Sequence, residues 1–203
     1  MRETLAKYLP ENSIDFVMDF IVNNNTQLNI KYNRITKYGD YRPPQGKYAY
    51  HRISINYGLN QYHFFLTFLH EAAHLIIWNK YKNTVSSHGI EWQEEYRKLA
   101  RNFLNENYFP KDLLPALKEY FSQRKIKASS SSIVSAMRKY DTGKQKLLLD
   151  DIPENSVFRI HNGMTFKKGK KLRTRYLCQE LHSGRQYRVS GLAEVKLLQE
   201  HER

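Results

Sequence analysis

The chain has 203 residues, of which 40% are hydrophobic and 13% aromatic, with a formal net charge of +13. This composition excludes a disordered or fibrous chain, and the length allows one good core plus a small second module. Its single cysteine, Cys178, excludes a disulfide framework and a cysteine zinc ribbon within one chain; a reducing, cytoplasmic compartment is the expected location. Residues 1–24 have helical spacing through Leu5, Leu9, Ile14, Val17 and Phe20, interrupted at Pro10. "QLNIKYNRIT" (27–36) alternates as a strand does, "GDYRPPQGKY" carries turn signals, and "YHRISINYG" (50–58) alternates again through Ile53 and Ile55. A helix apolar nearly all round is expected from Gln61 to about Tyr81, and an amphipathic one from Ile90 with Trp92, Tyr96, Leu99 and Phe103 on its stripe. A short helical region follows over 109–127. The polar run "KASSSS" either links domains or caps a helix through Ile133, Val134 and Met137. From Ile152 onward, short alternating runs broken at Asn162-Gly163, Lys168-Gly169 and Ser183-Gly184 predict a small antiparallel β module. The expected organisation is a domain over 1–127, a linker or helix over 128–150 and a basic β module over 151–203, an α+β fold overall. No secretory signal and no membrane span is expected.

One short stretch carries chemistry. In "FLHEAAHLII" (68–77), His70, Glu71 and His74 interrupt a run as apolar as a protein core. On a helix, His70 and His74 stand one turn apart on one side, so two imidazoles can share one tetrahedral cation, with Glu71 beside its open coordination position. A zinc ion held there polarises water and a substrate carbonyl, and the carboxylate takes the water's proton. Left unpaired on a buried helix, these groups would carry a desolvation cost of several kcal/mol. Zinc needs a third protein ligand. The spacing His-x-x-Gly-x-x-His fails, because Ile77 and Lys80 stand at those positions. Two residues remain: Glu94, 20 residues after His74, and His88, 14 residues after it and next to Gly89. His88 is preferred, since a loop histidine tethered by the Trp92 helix can be aimed back at the first helix, and glycine beside it lets the backbone turn closely.

"TFLHEAAHLIIWNKYKNTVSSHGIEW" resembles the metallopeptidase core of SprT and Spartan: HExxH, a variable loop, then His-Gly-x-x-aromatic. "HRISIN" before it and "FLNENYFP" after it look like the bacterial SprT-like proteins, so the resemblance covers roughly Ile30 to Phe109, and more loosely "RYLCQELHSGRQYRV". It implies a zincin-like domain, one zinc per chain on His70, His74 and His88, Glu71 as catalytic base, and proteolysis of DNA-associated or DNA-crosslinked proteins. Many relatives end in a cysteine zinc ribbon, which Cys178 alone cannot make, so DNA binding is not inherited through it.

The charge must be judged by itself. Residues 1–110 carry 13 Lys and Arg against 10 Asp and Glu, residues 111–150 carry 9 against 4, and residues 151–203 carry 11 against 6. A C-terminal excess of this kind suits a polyanion such as DNA. In "KKGKKLRTR", Lys167, Lys168, Lys170, Lys171, Arg173 and Arg175 are the candidate phosphate contacts, with Arg173 and Arg175 expected on one face of a strand. A peptide substrate is expected to lie extended along the edge of the Tyr50–Gly58 strand, just before the metal helix. Two other readings stay open: a non-proteolytic nucleic-acid-binding protein with a structural zinc, and a general peptidase without a DNA role.

Overall fold

The computed structural model describes residues 1–32, 34, 37–126, 130–142, 147–173 and 175–198. Residues 33, 35 and 36 of the expected first strand, residue 127 at the end of the expected first domain, and residues 128, 129 and 143–146 of the expected linker lie outside the described residues. The fold is α+β, with six helices and two sheets among the described residues. It divides into two compact units, Met1–Asp141 and Thr142–Arg203.

In the first unit, Pro10 splits the N-terminal pattern into α1 (Arg2–Leu5), a 3-10 turn at Glu11–Ser13, and α2 (Ile14–Asn23). Three strands follow: β1 (Thr26–Lys31), β2 (Gly39–Arg42) and β3 (His51–Asn56), in the order β1-β3-β2. β1 pairs parallel and β2 antiparallel with β3, which places Ile53 opposite Leu28 on one side and Tyr41 on the other. β3 is thus the centre of the sheet, with Ile53 and Ile55 wholly buried. Its edges are taken, which overturns the expectation that a substrate chain pairs along Tyr50–Gly58. The outer edge beside the metal helix belongs to β2, whose residues carry turn signals in the sequence. Pro43 and Pro44, which lack the N–H a ladder needs, end it after four residues.

The long helix α3 (Gln61–Tyr81) is the core of this unit. Its N-terminus is capped by Asn60, whose Oδ1 accepts the backbone N–H groups of Tyr62 and His63. Eleven of its residues are buried, because it packs on β2 and β3 and also against α4 (Ile90–Arg101). Of the expected stripe, α4 buries Trp92 and Tyr96, leaves Leu99 half-buried with Ala100 buried beside it, and ends before Phe103, which is buried just beyond the helix. α5 (Leu114–Ser122) and α6 (Ser131–Arg138) complete the unit. The Asn60 side chain donates to the Met137 carbonyl at 2.8 Å and to Asp141 at 2.6 Å, so α6 and its end belong to the first unit.

The second unit is the expected antiparallel β module. β4 (Val157–Arg159), β5 (Thr165–Lys171), β6 (Arg175–Glu180), β7 (Gln186–Ser190) and β8 (Lys196–Leu197) lie in the order β7-β6-β5-β4-β8. One face packs Phe158, Phe166, Tyr176 and Cys178 against Leu149, Ile152 and Val195. Cys178 is fully buried and acts as a small hydrophobe. Among the described residues, no helix is long and apolar enough to cross a membrane.

Candidate metal centre

α3 and the N-terminus of α4 bring three histidines together. His70 and His74 project from successive turns of α3 toward α4, and His88 comes from the loop two residues before α4 begins. Their Nε2 atoms form a nearly equilateral triangle: 3.3 Å from His70 to His74, 3.2 Å from His74 to His88, and 3.3 Å from His88 to His70. Protons cannot satisfy such a triangle, because each neutral imidazole has one N–H to give and the three nitrogens face one another. A cation can. Tetrahedral zinc with Zn–N distances of about 2.0–2.1 Å places its nitrogen ligands about 3.3–3.4 Å apart. The three residues are the metal-capable cluster among the described residues, and no fourth His, Cys, Asp or Glu joins them.

The surroundings hold the ring nitrogens in the form a metal needs. Burial, aided by the neighbouring His74 and His88, pushes the His70 pKa well below its ordinary value; burial and then His88 push His74 down to about 3; burial and then Lys125 lower His88. Neutral imidazoles with free lone pairs result. Trp92, itself fully buried, fixes all three rings: it stacks on His74 at 5.1 Å and meets His70 and His88 edge-on at 4.6 and 4.7 Å. Buried Gln93 ties down the third ligand, donating from Nε2 to the His88 carbonyl at 3.3 Å while its Oε1 accepts from the Ile126 N–H at 3.0 Å. Gly89 caps α4, and a Cβ there would lie 3.1 Å from the Ser86 carbonyl, so the glycine next to His88 does allow a tight turn. His88 is exposed, which leaves one side of the triangle open to solvent. Glu94, the rival third ligand, is on the exposed face of α4 and outside the cluster.

Glu71, one residue from His70, turns instead toward β2 and is buried at 5% exposure. Its carboxylate sits against Gly39, where an added Cβ would lie 2.4 Å from Oε1 and 2.8 Å from both Cγ and the Thr67 methyl. Burial pushes the Glu71 pKa up to about 8 and Asp40 adds to this, while Arg34, Lys37 and a bond from the Tyr41 backbone N–H pull the other way. A dication on the histidines would pull further in that direction. The group is therefore poised between proton acceptor and proton donor near neutral pH. Sequence reasoning missed Gly39, Tyr41 and Gln93. The first two sit in a stretch of turn-like composition, and the third is a polar residue in an apolar stripe whose partners come from loops distant in sequence.

The basic run is dispersed by the second unit's fold. Lys168 is not on the surface: it is 3% exposed, and its Nζ donates to the Leu149 and Ile152 carbonyls at 2.6 Å each. It is withdrawn from the phosphate contacts. Lys171 is spoken for by Asp150 at 2.8 Å. Arg173 lies in the turn before β6 rather than on a strand face with Arg175. Lys167, Lys170 and Arg175 are exposed.

Searches against protein-family models, curated proteins and solved structures found no match to this chain.

Proposed function

We propose that this chain is a zinc-dependent peptide hydrolase of the SprT-like type, acting on proteins associated with or crosslinked to DNA. The observation that carries the reading is the open Nε2 triangle with a buried, proton-poised carboxylate one residue away. A purely structural zinc site closes its fourth position with a protein ligand and has no use for Glu71.

Zinc on His70, His74 and His88 would supply Lewis acidity, polarising a scissile carbonyl and bringing a water molecule's pKa toward neutrality. Glu71 takes the proton from the attacking water and hands it to the leaving amine. The Tyr41 N–H and the missing side chain at Gly39 hold that carboxylate in place between α3 and β2. Because β2 is the sheet edge next to Glu71, an extended substrate backbone pairing there would run beside the catalytic carboxylate, with little dependence on side-chain identity. The excess positive charge of the C-terminal half favours DNA-associated substrates.

The test compares wild type with Glu71→Gln, both zinc-loaded, on an unstructured protein and on a DNA-bound protein. The amide accepts no proton, so turnover should fall by about 10² to 10⁴ with zinc content unchanged. Undiminished hydrolysis by the zinc-loaded variant would remove Glu71, and with it this mechanism.

A further inference from the structure

We propose that the outer face of the β5–β6–β7 sheet in the second unit binds the phosphodiester backbone of duplex DNA without reading its sequence. The face is set by register. Opposite the core side, cross-strand rows align Lys167 with Gln179 and Gln186, Leu177 with Arg188, and Arg175 with Ser190. The pairing of β5 with β6 slips by one residue between Lys168 and Lys171, so Gly169 and Lys170 share the place opposite Leu177. Glycine is required there, since a Cβ at 169 would lie 2.3 Å from the Leu177 carbonyl oxygen. The bulge has a consequence for charge: it returns Lys170 to the outer face while leaving Lys171 on the core side, where it pairs with Asp150 and approaches the Tyr176 ring.

Four exposed cations therefore share this face: Lys167, Lys170, Arg175 and Arg188. None of them forms an ion pair among the described residues. Arg188 lies outside the basic run and is brought to it only by the β6–β7 pairing. The three strands contain one carboxylate, Glu180, and it points the other way: it is buried and accepts bonds from the His182 and Ser183 N–H groups and the Ser183 hydroxyl. An unopposed cationic sheet, with charges spaced by the strand separation of about 5 Å and the two-residue repeat of about 7 Å, suits a regular polyanion.

The partner's class follows from what else the face carries. Its aromatic neighbours belong to the opposite face by register: Tyr176 is buried, and Tyr187, partly exposed, packs edge-on against Phe166. Without a stacking platform, unpaired bases gain nothing here, which favours a duplex over a single strand. Leu177 is the sole apolar side chain that the three strands put on the face, with exposed Leu181 just past the end of β6, too little to insert into a membrane. Gln179 and Gln186 can give hydrogen bonds to phosphate and sugar oxygens.

This inference rests on the second unit alone and stands whether or not the metal centre hydrolyses peptides. The experiment measures binding of the full chain to a 20-base-pair duplex by fluorescence anisotropy over a range of salt. Four neutralised phosphates give a slope of about −3.6 in log affinity against log salt. Replacing Lys167, Lys170, Arg175 and Arg188 together by Ser should lower affinity by on the order of 10²-fold or more at low salt and bring the slope near zero. Arg188→Ser alone, an exposed change that leaves the core untouched, should reduce the slope by about one. Zinc content should be the same in every variant. Unchanged affinity and slope in either variant would overturn the proposal. So would tighter binding of wild type to single-stranded DNA, to polyglutamate or to anionic phospholipid vesicles than to the duplex.

Discussion

Each unit gathers polar groups that look functional in the sequence, and the two sets differ in whether the protein satisfies them. In the second unit, Lys168 has two carbonyl acceptors at 2.6 Å and the Tyr176 ring 3.9 Å from its Nζ. Its hydrogen-bonding needs are met, and it fastens the 3-10 turn Leu149–Asp151 and Ile152 to β5. In the first unit, His70, His74 and His88 point their Nε2 atoms at one another within 3.3 Å, and among the described residues no carboxylate or thiol joins them. A buried polar group with partners is architecture; a cluster of imidazole nitrogens that converge on one point could hold a metal ion.

The largest expected effect comes from removing a member of that convergence. His70→Ala, His74→Ala and His88→Ala should each reduce bound zinc from one per chain to a small fraction, since one of three ligands is lost. Glu94→Ala should retain it. Metal analysis after gel filtration decides the matter, and full zinc in His88→Ala would mean that the triangle is not the metal site. The comparison would then collapse to two structural clusters.

Next in size is Gly39→Ala. The new methyl cannot coexist with Glu71 in its present place, because it would lie 2.4 Å from Oε1 and 2.8 Å from Cγ. A carboxylate displaced by about 1 Å can cost about 10²-fold in turnover. Zinc content should not change, since none of the three ligands touches residue 39. Wild-type turnover in Gly39→Ala would show that the position of the carboxylate against β2 is irrelevant to chemistry.

The two regions were unequally legible in the sequence, for physical reasons. The histidine cluster was readable because His70 and His74 belong to one helix, where spacing fixes direction, and because Gly89 and the Trp92 stripe anchor His88 close by. The support around Glu71 was not. Gly39 and Tyr41 belong to a four-residue strand ended by Pro43 and Pro44, and the pairing that makes it the sheet edge is a long-range choice made by Ile53 and Ile55. In the second unit, alternation predicted strands correctly but not their phase. The bulge at Gly169 shifts the facing of every lysine after it, and a one-residue slip exchanges core for solvent. Lys168 stands before the bulge and lands inside by plain alternation with Phe166, Lys170 and Lys171 exchange faces because of the slip, and Arg188 joins the outer face from a strand that the basic run does not include.

Lys168→Met sharpens the contrast at a smaller scale. The thioether fills much of the same space but leaves the Leu149 and Ile152 carbonyls without their donor, a cost of about 1–3 kcal/mol. In a unit of this size each kcal/mol lowers the melting midpoint by about 4–8 °C. DNA affinity and its salt slope should not change. A reduced slope with unaltered stability would mean that Lys168 reaches phosphate and is not the satisfied core residue described above.

The smallest effect concerns a half-buried base of the first unit that lies outside the histidine triangle. His63 lies on α3 two turns before His70, with its ring 4.4 Å from that of Tyr38, and burial lowers its pKa to about 4. In the unfolded chain an ordinary histidine protonates near 6.5. Between these two values the unfolded state binds the additional proton, so the stability contributed by neutral His63 is fully present above about pH 6.5 and is lost progressively as pH falls toward about 4. One such group contributes at most about 1.4 kcal/mol per pH unit. His51, His70, His74 and His88 are lowered in the same direction and add to the slope in the metal-free chain. The informative quantity is therefore a difference. Denaturant titrations of metal-free wild type and His63→Phe from pH 7.5 to 4.5 should run parallel above pH 6.5 and converge below it, because the variant lacks one of the protons that favour unfolding. If the two curves stay parallel throughout, His63 is accessible to protons in the folded chain, and burial does not hold the face of α3 toward Tyr38 neutral.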